Sequence, residues 1–421
     1  IRRAKEAGFK SLDEKIESGS LNSGDKVYAV NKNKAVVLFV IGSEDLEKGM
    51  SIVGAHTDAP RLDLKPVPLA EDSSIAYFKT HYYGGIKKYQ WTTIPLALHG
   101  VIFTKDGEKV EVSIGENDDE PVFTISELLI HLSKKQMDKP AREAIEGEQL
   151  KVIVGSIPLD DKEDNPVKRN ILEILNKKYG IIEEDFITAE FEVVPAIKAR
   201  NAGLDNSMII AHGQDDRICT YSTLNAIFNI EKPSRTAVAL FVDKEEIGSY
   251  GSTAMTSQFF ENTVLELLNI KDKANLISLK RSLQNSKVLS ADVTSAYDPN
   301  FKDVSEIDNS AQFGCGVALT KYTGSGGKGG SNDANAEYLQ EVRSAFDKGE
   351  VIYQTGELGA VDAGGGGTIA FILAEYGMDV VDCGTPVISM HAPTELVSKA
   401  DLYQAVRAYK AFYENIWHII Y

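Results

Sequence analysis

Five short stretches of this 421-residue chain set an acid or a histidine directly behind an apolar run. They are GAHTDAP with His56 and Asp58, HGQDDR with Asp215 and Asp216, LFVDKEEIGS with Glu245 and Glu246, LSADVTSA with Asp292, and VISMHAPTE with His391. Two imidazoles and several carboxylates, with no thiolate among them, make a nitrogen and oxygen donor set suited to zinc, cobalt or manganese. Five ligands exceed what one tetrahedral ion takes, whereas two ions sharing a bridging carboxylate would use them all. Taken singly, each residue has a plainer reading. A lone histidine after a strand is ordinarily packed or solvated, and Asp292 alone would serve as a cap or turn residue. Glu245-Glu246 is sharper, since adjacent carboxylates repel unless a cation or proton separates them, although a solvated acidic loop is the alternative.

Such residues must be brought together by the elements around them. Lys34 to Gly42 (KAVVLFVIG) is a continuous apolar run of the kind a strand covered on both faces shows, and Arg2 to Ser18 reads as an amphipathic helix. From Ser207 onward the pattern predicts an apolar run to Ala211, a helix over Ile218 to Ile230 and a strand over Ala237 to Val242. A helix near Gln258 to Asn269, strands at Val288-Leu289 and Gly316 to Thr320, and helices over Ala334 to Asp347 and Thr368 to Gly377 follow. The strand Val387 to Met390 and a helix from Lys399 to about His418 close the chain, the helix carrying Leu402, Val406, Tyr409, Phe412, Ile416 and Ile420 at helical spacing. In parallel α/β sheets ligands lie beyond the carboxyl ends of the strands, so the five turns would converge on one crevice.

The stretch after Pro66 and Pro68 differs in texture. Gly100 to Gly115 places Asp106-Gly107 between two β-rich runs, a hairpin signature. Lys151 to Leu159 and Phe186 to Val194 read as further strands, with a polar loop over Asp160 to Asn170. An antiparallel segment set within an α/β chain predicts an inserted β-rich domain over 69–204, the α/β domain being 1–68 with 205–421.

Composition narrows the function. With 62 acidic and 45 basic residues the formal charge is -17, which disfavours nucleic acid and anionic membrane surfaces and favours divalent cations. Cys219, Cys315 and Cys383 show no paired spacing, so a disulfide framework is not expected and a reducing cytoplasm fits. The longest apolar runs fall far short of the roughly 20 residues that span a bilayer. The opening IRRAKEAGF has neither a methionine nor a signal-type core, and a native start outside this sequence is expected. TGSGGKGGS at Thr323 to Ser331 lacks the spacing of a phosphate loop and reads as a flexible loop near the site, while Gly364 to Gly367 reads as close packing of helix on strand. His81, His99 and His418 read as structural, and His212 as a decoy ligand.

GAHTDAPRLDLKP, the DDR triplet, DKEEIGSYGS, SADVTSAYDP and SMHAPTE, in that order and with a long insertion between the first two, resemble the M18 family of metallo-aminopeptidases, the aspartyl aminopeptidase and vacuolar aminopeptidase I group. The likeness covers essentially the whole chain, THYYGGIKKYQW and ELLIHL of the insertion included. The resemblance implies a zinc-exopeptidase-like α/β/α catalytic domain and two divalent metal ions, zinc first and cobalt or manganese as alternatives. It assigns Asp215 as the bridging ligand, His56 and Asp292 to one ion, Glu246 and His391 to the other, and Glu245 as general base. Asp58 would orient the His56 imidazole, His131 would reach a neighbouring subunit's site to stabilise the oxyanion, and Lys321 would meet an acidic substrate side chain. The implied partners are peptide substrates and further copies of the chain, dimers building a tetrahedral dodecamer through the insertion. Gln214-Asp215-Asp216-Arg217 is closer to the related M42 aminopeptidases than to the arginine-leucine-aspartate-asparagine pattern of many M18 members, so a neutral or broader specificity stays open. The competing readings are an M42-like deblocking or glutamyl aminopeptidase and a non-catalytic metal-binding scaffold. The second of these would have no use for Glu245.

Overall fold

The computed structural model describes residues 1–160 and 163–416. The chain forms two compact units, one made of Ile1–Asp58, Asn201–Met390 and the segment from Glu395 onward, the other of Ala59–Arg200 with His391–Thr394.

The first unit is built on a nine-stranded sheet. Its spatial order is Lys10–Ser11, Lys26–Asn31, Ala35–Val40, Thr236–Val242, Met50–His56, Lys287–Ser290, Asp379–Gly384, Val317–Thr320 and Tyr353–Thr355. The strands from Thr236 to Gly384 in that order run parallel, with Val242 beside His56 and Ser290 beside Gly54. Their carboxyl ends therefore finish side by side, and the turns that follow share one edge of the sheet.

Uninterrupted apolar strands are what this position demands, because successive side chains enter opposite cores. Val37, Phe39, Ile52, Val238 and Leu240 point to one, Leu38, Val40, Val53, Ala239 and Phe241 to the other. Helices Gln214–Phe228, Ala336–Lys348 and Lys399–Asn415 cover the second face through Ile227, Phe346 and Phe412. Phe259–Ile270 and Leu276–Gln284 cover the first through Val264, Leu267 and Leu283. At about 1.5–3 kcal/mol for each large apolar side chain fully buried, these two layers hold the sheet from both sides. The result is an α/β/α sandwich. A smaller sheet of the same unit pairs Met208–Ala211 antiparallel with Glu395–Ser398, Ala211 opposite Glu395.

The second unit is a seven-stranded sheet in which the described pairs are antiparallel. Leu96–Phe103 and Lys109–Ile114 form its hairpin, and Gly107 at the turn has φ +84, a conformation glycine adopts without steric cost. Its own core gathers Trp91, Leu98, Val152, Phe186 and Phe191 against the helix Pro166–Tyr179 through Val167 and Leu175.

Several local expectations fail for identifiable reasons. The single helix over Arg2 to Ser18 is two, Arg2–Glu6 and Leu12–Ser18. Gly8 at φ +86 ends the first, Lys10–Ser11 pairs with the Lys26 strand, and Ser11 with Glu14 forms a capping box that starts the second. The polar loop ends sooner than its composition suggests, because Pro166 takes the first position of a helix, where its missing N–H costs nothing. Phe186 to Val194 is not one strand. Asp185 accepts the N–H groups of Ile182 and Lys105, which winds Glu183–Thr188 into a 3-10 turn before the strand Glu190–Pro195. The helix expected over Thr368 to Gly377 is confined to Ala370–Ala374. The glycines before it serve loop-on-loop packing: a Cβ on Gly365 would lie 2.0 Å from the Gly324 carbonyl oxygen, and Gly324 N–H donates to Gly366 O. In the last helix, His418 and Ile420 lie outside the described residues. Among the described residues no helix is long and apolar enough to cross a membrane.

Candidate metal centre

His56 ends the central strand and is 2% exposed. Helix Gln214–Phe228 grips its backbone from both sides. The His56 N–H donates to Asp216 Oδ2 at 3.3 Å, and its carbonyl accepts the Thr220 hydroxyl at 2.8 Å. The ring is held as firmly. Nδ1 faces the Asp58 carbonyl at 3.0 Å and Asp58 Oδ1 at 3.4 Å, so the Nδ1 proton is the one donated and Nε2 faces outward. Nε2 lies 3.1 Å from Asp215 Oδ1 and 3.9 Å from Asp292 Oδ1.

Glu245 and Glu246 begin the turn Glu245–Ile247, which follows strand Thr236–Val242 and is entered through Lys244 at φ +67. Both of their backbone N–H groups end on one carboxylate: Glu245 donates to Asp58 Oδ1 at 3.1 Å and Glu246 to Asp58 Oδ2 at 3.2 Å. Asp58 thus ties the histidine turn to the paired-glutamate turn.

Two overlapping trios could each hold a cation, His56 with Asp215 and Glu246, and His56 with Asp216 and Asp292, their donor atoms lying within 4.8 Å of one another. The electrostatics show what such crowding costs. Burial pushes Asp216 well above the ordinary carboxylate range, His56 pulls it back, and Asp215 raises it further. Asp292 is raised in the same way, by burial first and then by Asp216, Asp215 and Glu245 against the pull of His56. For His56, burial would lower the imidazole, but the bonds to Asp215 and Asp58 and the charges of Asp292 and Asp216 outweigh it and raise it well above its usual value. Several carboxylates around one imidazole are stable together only with added positive charge, and the nitrogen and oxygen donors fit divalent zinc.

The remaining residues singled out from the sequence belong to neither donor trio. His391 belongs to the second unit, has φ +64, and through Nδ1 donates to Gly85 O at 2.9 Å. His131 sits in the exposed turn Ile130–Leu132 of the same unit. Lys321 follows strand Val317–Thr320 and pairs with Asp333 at 3.5 Å. His212 joins neither donor trio, His81 bonds the Tyr82 carbonyl, and His99 pairs with Glu116. The DDR triplet showed two adjacent acids, but nothing in it said that Asp216 would face Asp292 while also holding the His56 backbone. Glu395 closes the SMHAPTE stretch but was given no role there, although its buried carboxylate accepts the Asp215 N–H at 3.1 Å.

Comparison with known proteins shows the family and the fold. The sequence model of a family described as aminopeptidase I zinc metalloprotease (M18) matches residues 1–413. A probable M18 family aminopeptidase 1 of Clostridium acetobutylicum is 52% identical over 417 residues, covering 99% of this chain and 90% of that protein. The crystal structure of an M18 family aminopeptidase from Thermotoga maritima superposes with a TM-score of 0.95 at 46% identity, over 98% of this chain and 91% of that one. The mApe1 dodecamer of Saccharomyces cerevisiae shares the fold, with a TM-score of 0.77 at 21% identity over 98% of this chain and 90% of that one.

Proposed function

The chain belongs to the M18 family of aminopeptidase I zinc metalloproteases, and from that premise we propose a dinuclear zinc aminopeptidase that removes N-terminal residues, acidic ones among them, from peptides. The two-ion reading is supported by the donor set: the two trios together offer His56, Asp215, Asp216, Glu246 and Asp292, more ligands than one tetrahedral ion takes, and Nε2 of His56 can serve only one of two ions. One of these trios holds Asp215, the carboxylate assigned to bridge. Bound there, two divalent cations would polarise the scissile carbonyl and acidify a water molecule. The protein's own groups do the rest. Glu245 accepts a proton from the attacking water on its carboxylate and passes it to the leaving amine. Its placement is supported by the Asp58 bond to its backbone, which fixes the turn against His56. His391 contributes through Nε2, since its Nδ1 proton is committed to the Gly85 carbonyl. Lys321 meets the substrate's first side chain.

Zinc titration of the metal-free protein tests this reading. Turnover of aminoacyl substrates should appear only with the second equivalent, and His391→Ala should hold one ion fewer. Full turnover at one equivalent, or unchanged zinc content in the variant, overturns it.

We also propose a homo-oligomer, dimers assembling to a tetrahedral dodecamer, in which His131 serves a neighbouring copy's oxyanion. The apolar side chains flanking His131 support it: Leu129, Ile130 and Leu132 are 53, 71 and 68% exposed, more than a lone subunit ordinarily leaves in one run. A cytoplasmic location fits the free Cys219, Cys315 and Cys383. Sedimentation showing only monomer would remove the assembly.

A further inference from the structure

Near the start of helix Gln214–Phe228 the backbone leaves helical geometry at a kink, Asp215 having φ -78 and ψ 109 and Asp216 φ -115 and ψ 27. A buried backbone N–H at such a kink has no place in the helical ladder and must find an acceptor elsewhere. For Asp215 that acceptor is Glu395 Oε2, at 3.1 Å and 180 residues away in sequence. The same residue holds the neighbouring position as well: its carbonyl accepts Gln214 Nε2 at 2.8 Å, and that amide also donates to Ile209 O at 3.0 Å. Residues 214 and 215 are therefore tied by side-chain bonds to Glu395, the residue that pairs with Ala211 at the end of the strand ladder. Glu395 is 1% exposed, and a carboxylate buried that deeply is costly unless it answers a specific need. Packing alone would be served at lower cost by an apolar side chain of the same size.

We infer that Glu395 is a positioning residue for the metal centre, whose acceptor oxygen holds the Asp215 backbone at the kink so that its carboxylate faces His56 Nε2. The inference rests on the proposed zinc reading for what Asp215 binds, but the hydrogen bond itself does not depend on it. The role requires an acceptor at this place and not a charge. Glu395→Gln retains an oxygen for the Asp215 N–H, while Glu395→Met matches the volume and retains none.

Zinc dissociation measured by chelator competition, together with the visible absorption of the cobalt-substituted protein, separates this role from bulk stability. Glu395→Met should weaken zinc by about tenfold or more and shift the cobalt spectrum, as loss of a partner behind a metal ligand does, with the melting temperature of the metal-free protein little changed. Glu395→Gln should stay within about threefold of the parent. Parent-like zinc affinity in Glu395→Met, or equal losses in both variants, overturns the inference. Should Glu395→Met not fold, Gln214→Met must weaken zinc in the same direction, and unchanged affinity there overturns it equally. If the metal reading itself is wrong, the parent will show no specific zinc binding, a result distinct from all of these.

Discussion

Asp58 Oδ1 accepts the backbone N–H of Glu245 at 3.1 Å, which ties turns 187 residues apart in sequence to a single carboxylate. Asp58 Oδ2 takes the Glu246 N–H at 3.2 Å, and Oδ1 lies 3.4 Å from His56 Nδ1. One side chain therefore sets the positions of a histidine and two glutamates. Asp58→Asn replaces one oxygen with an NH2 group that must face one of these donors. Turnover should fall by about 10–100-fold, the usual range for a group behind a metal ligand, with a parallel loss of zinc affinity. Steady-state kinetics and zinc competition check it, and a variant with the parent's values in both would remove Asp58 from this role.

Glu245 and Glu246 are neighbours with different assigned tasks, and substitution can tell them apart. Glu245→Gln removes the proton acceptor and leaves the donor trios intact, so zinc content by elemental analysis should be unchanged while kcat drops by about 10²–10⁴-fold. Glu246→Gln removes a donor of the His56 and Asp215 trio and should lose metal as well as turnover. The reverse pattern would exchange the two roles.

How much of this was legible beforehand depended on the range of the interaction that decided it. Met50 to His56 and Thr236 to Val242 are predominantly apolar because both faces of the sheet are buried, and the acids behind such strands follow from strand direction alone. Asp216 was visible as an acid but not as the group that bonds the His56 N–H, since residue type does not tell which way adjacent carboxylates turn. Glu395 stood at the end of SMHAPTE, but its role was hidden because its partner comes from a distant segment paired only in the folded sheet. Phe186 alternates with its neighbours as a strand residue would, yet Asp185 satisfies local N–H groups and so overrides the pattern. In each case the missed feature is a side chain to backbone bond.

Asp382, 4% exposed, lies in the parallel sheet beside Ser290 and accepts the Thr368 hydroxyl at 2.6 Å. Burial pushes its carboxyl from 3.8 up to about 6, against the lowering effect of the bonds from Thr368 and Ser290. A carboxyl raised on folding binds more protons in the folded state, so stability declines as pH climbs from the unfolded value to the folded one and stays lower above it. The decline amounts to about 3 kcal/mol. Asp382→Asn keeps an oxygen for Thr368 and cannot ionise. Its stability relative to the parent should therefore improve by about that amount between about pH 4 and about pH 7.5, read from urea unfolding at both. A difference that does not move with pH would refute the assignment.

Asp333 stands between two lysines, Oδ1 at 3.5 Å from Lys321 Nζ and Oδ2 at 3.0 Å from Lys328 Nζ. The Lys328 bond first, and then the charges of Lys321 and Lys328, outweigh the raising effect of burial and hold its carboxyl below the usual range, so it remains a full negative charge at neutral pH. If Lys321 meets the first side chain of the substrate, Asp333 competes with an acidic substrate for it and tilts the preference toward neutral residues. Asp333→Asn removes the competitor, and a partly exposed pair of this kind is worth up to about 1 kcal/mol. The ratio of kcat/KM for glutamyl over leucyl substrates should accordingly rise by up to about fivefold. Adding Lys321→Met should cancel the gain, because the freed charge is then absent. An unchanged ratio in Asp333→Asn would place Lys321 outside the substrate's reach and leave the acidic preference without a residue to produce it.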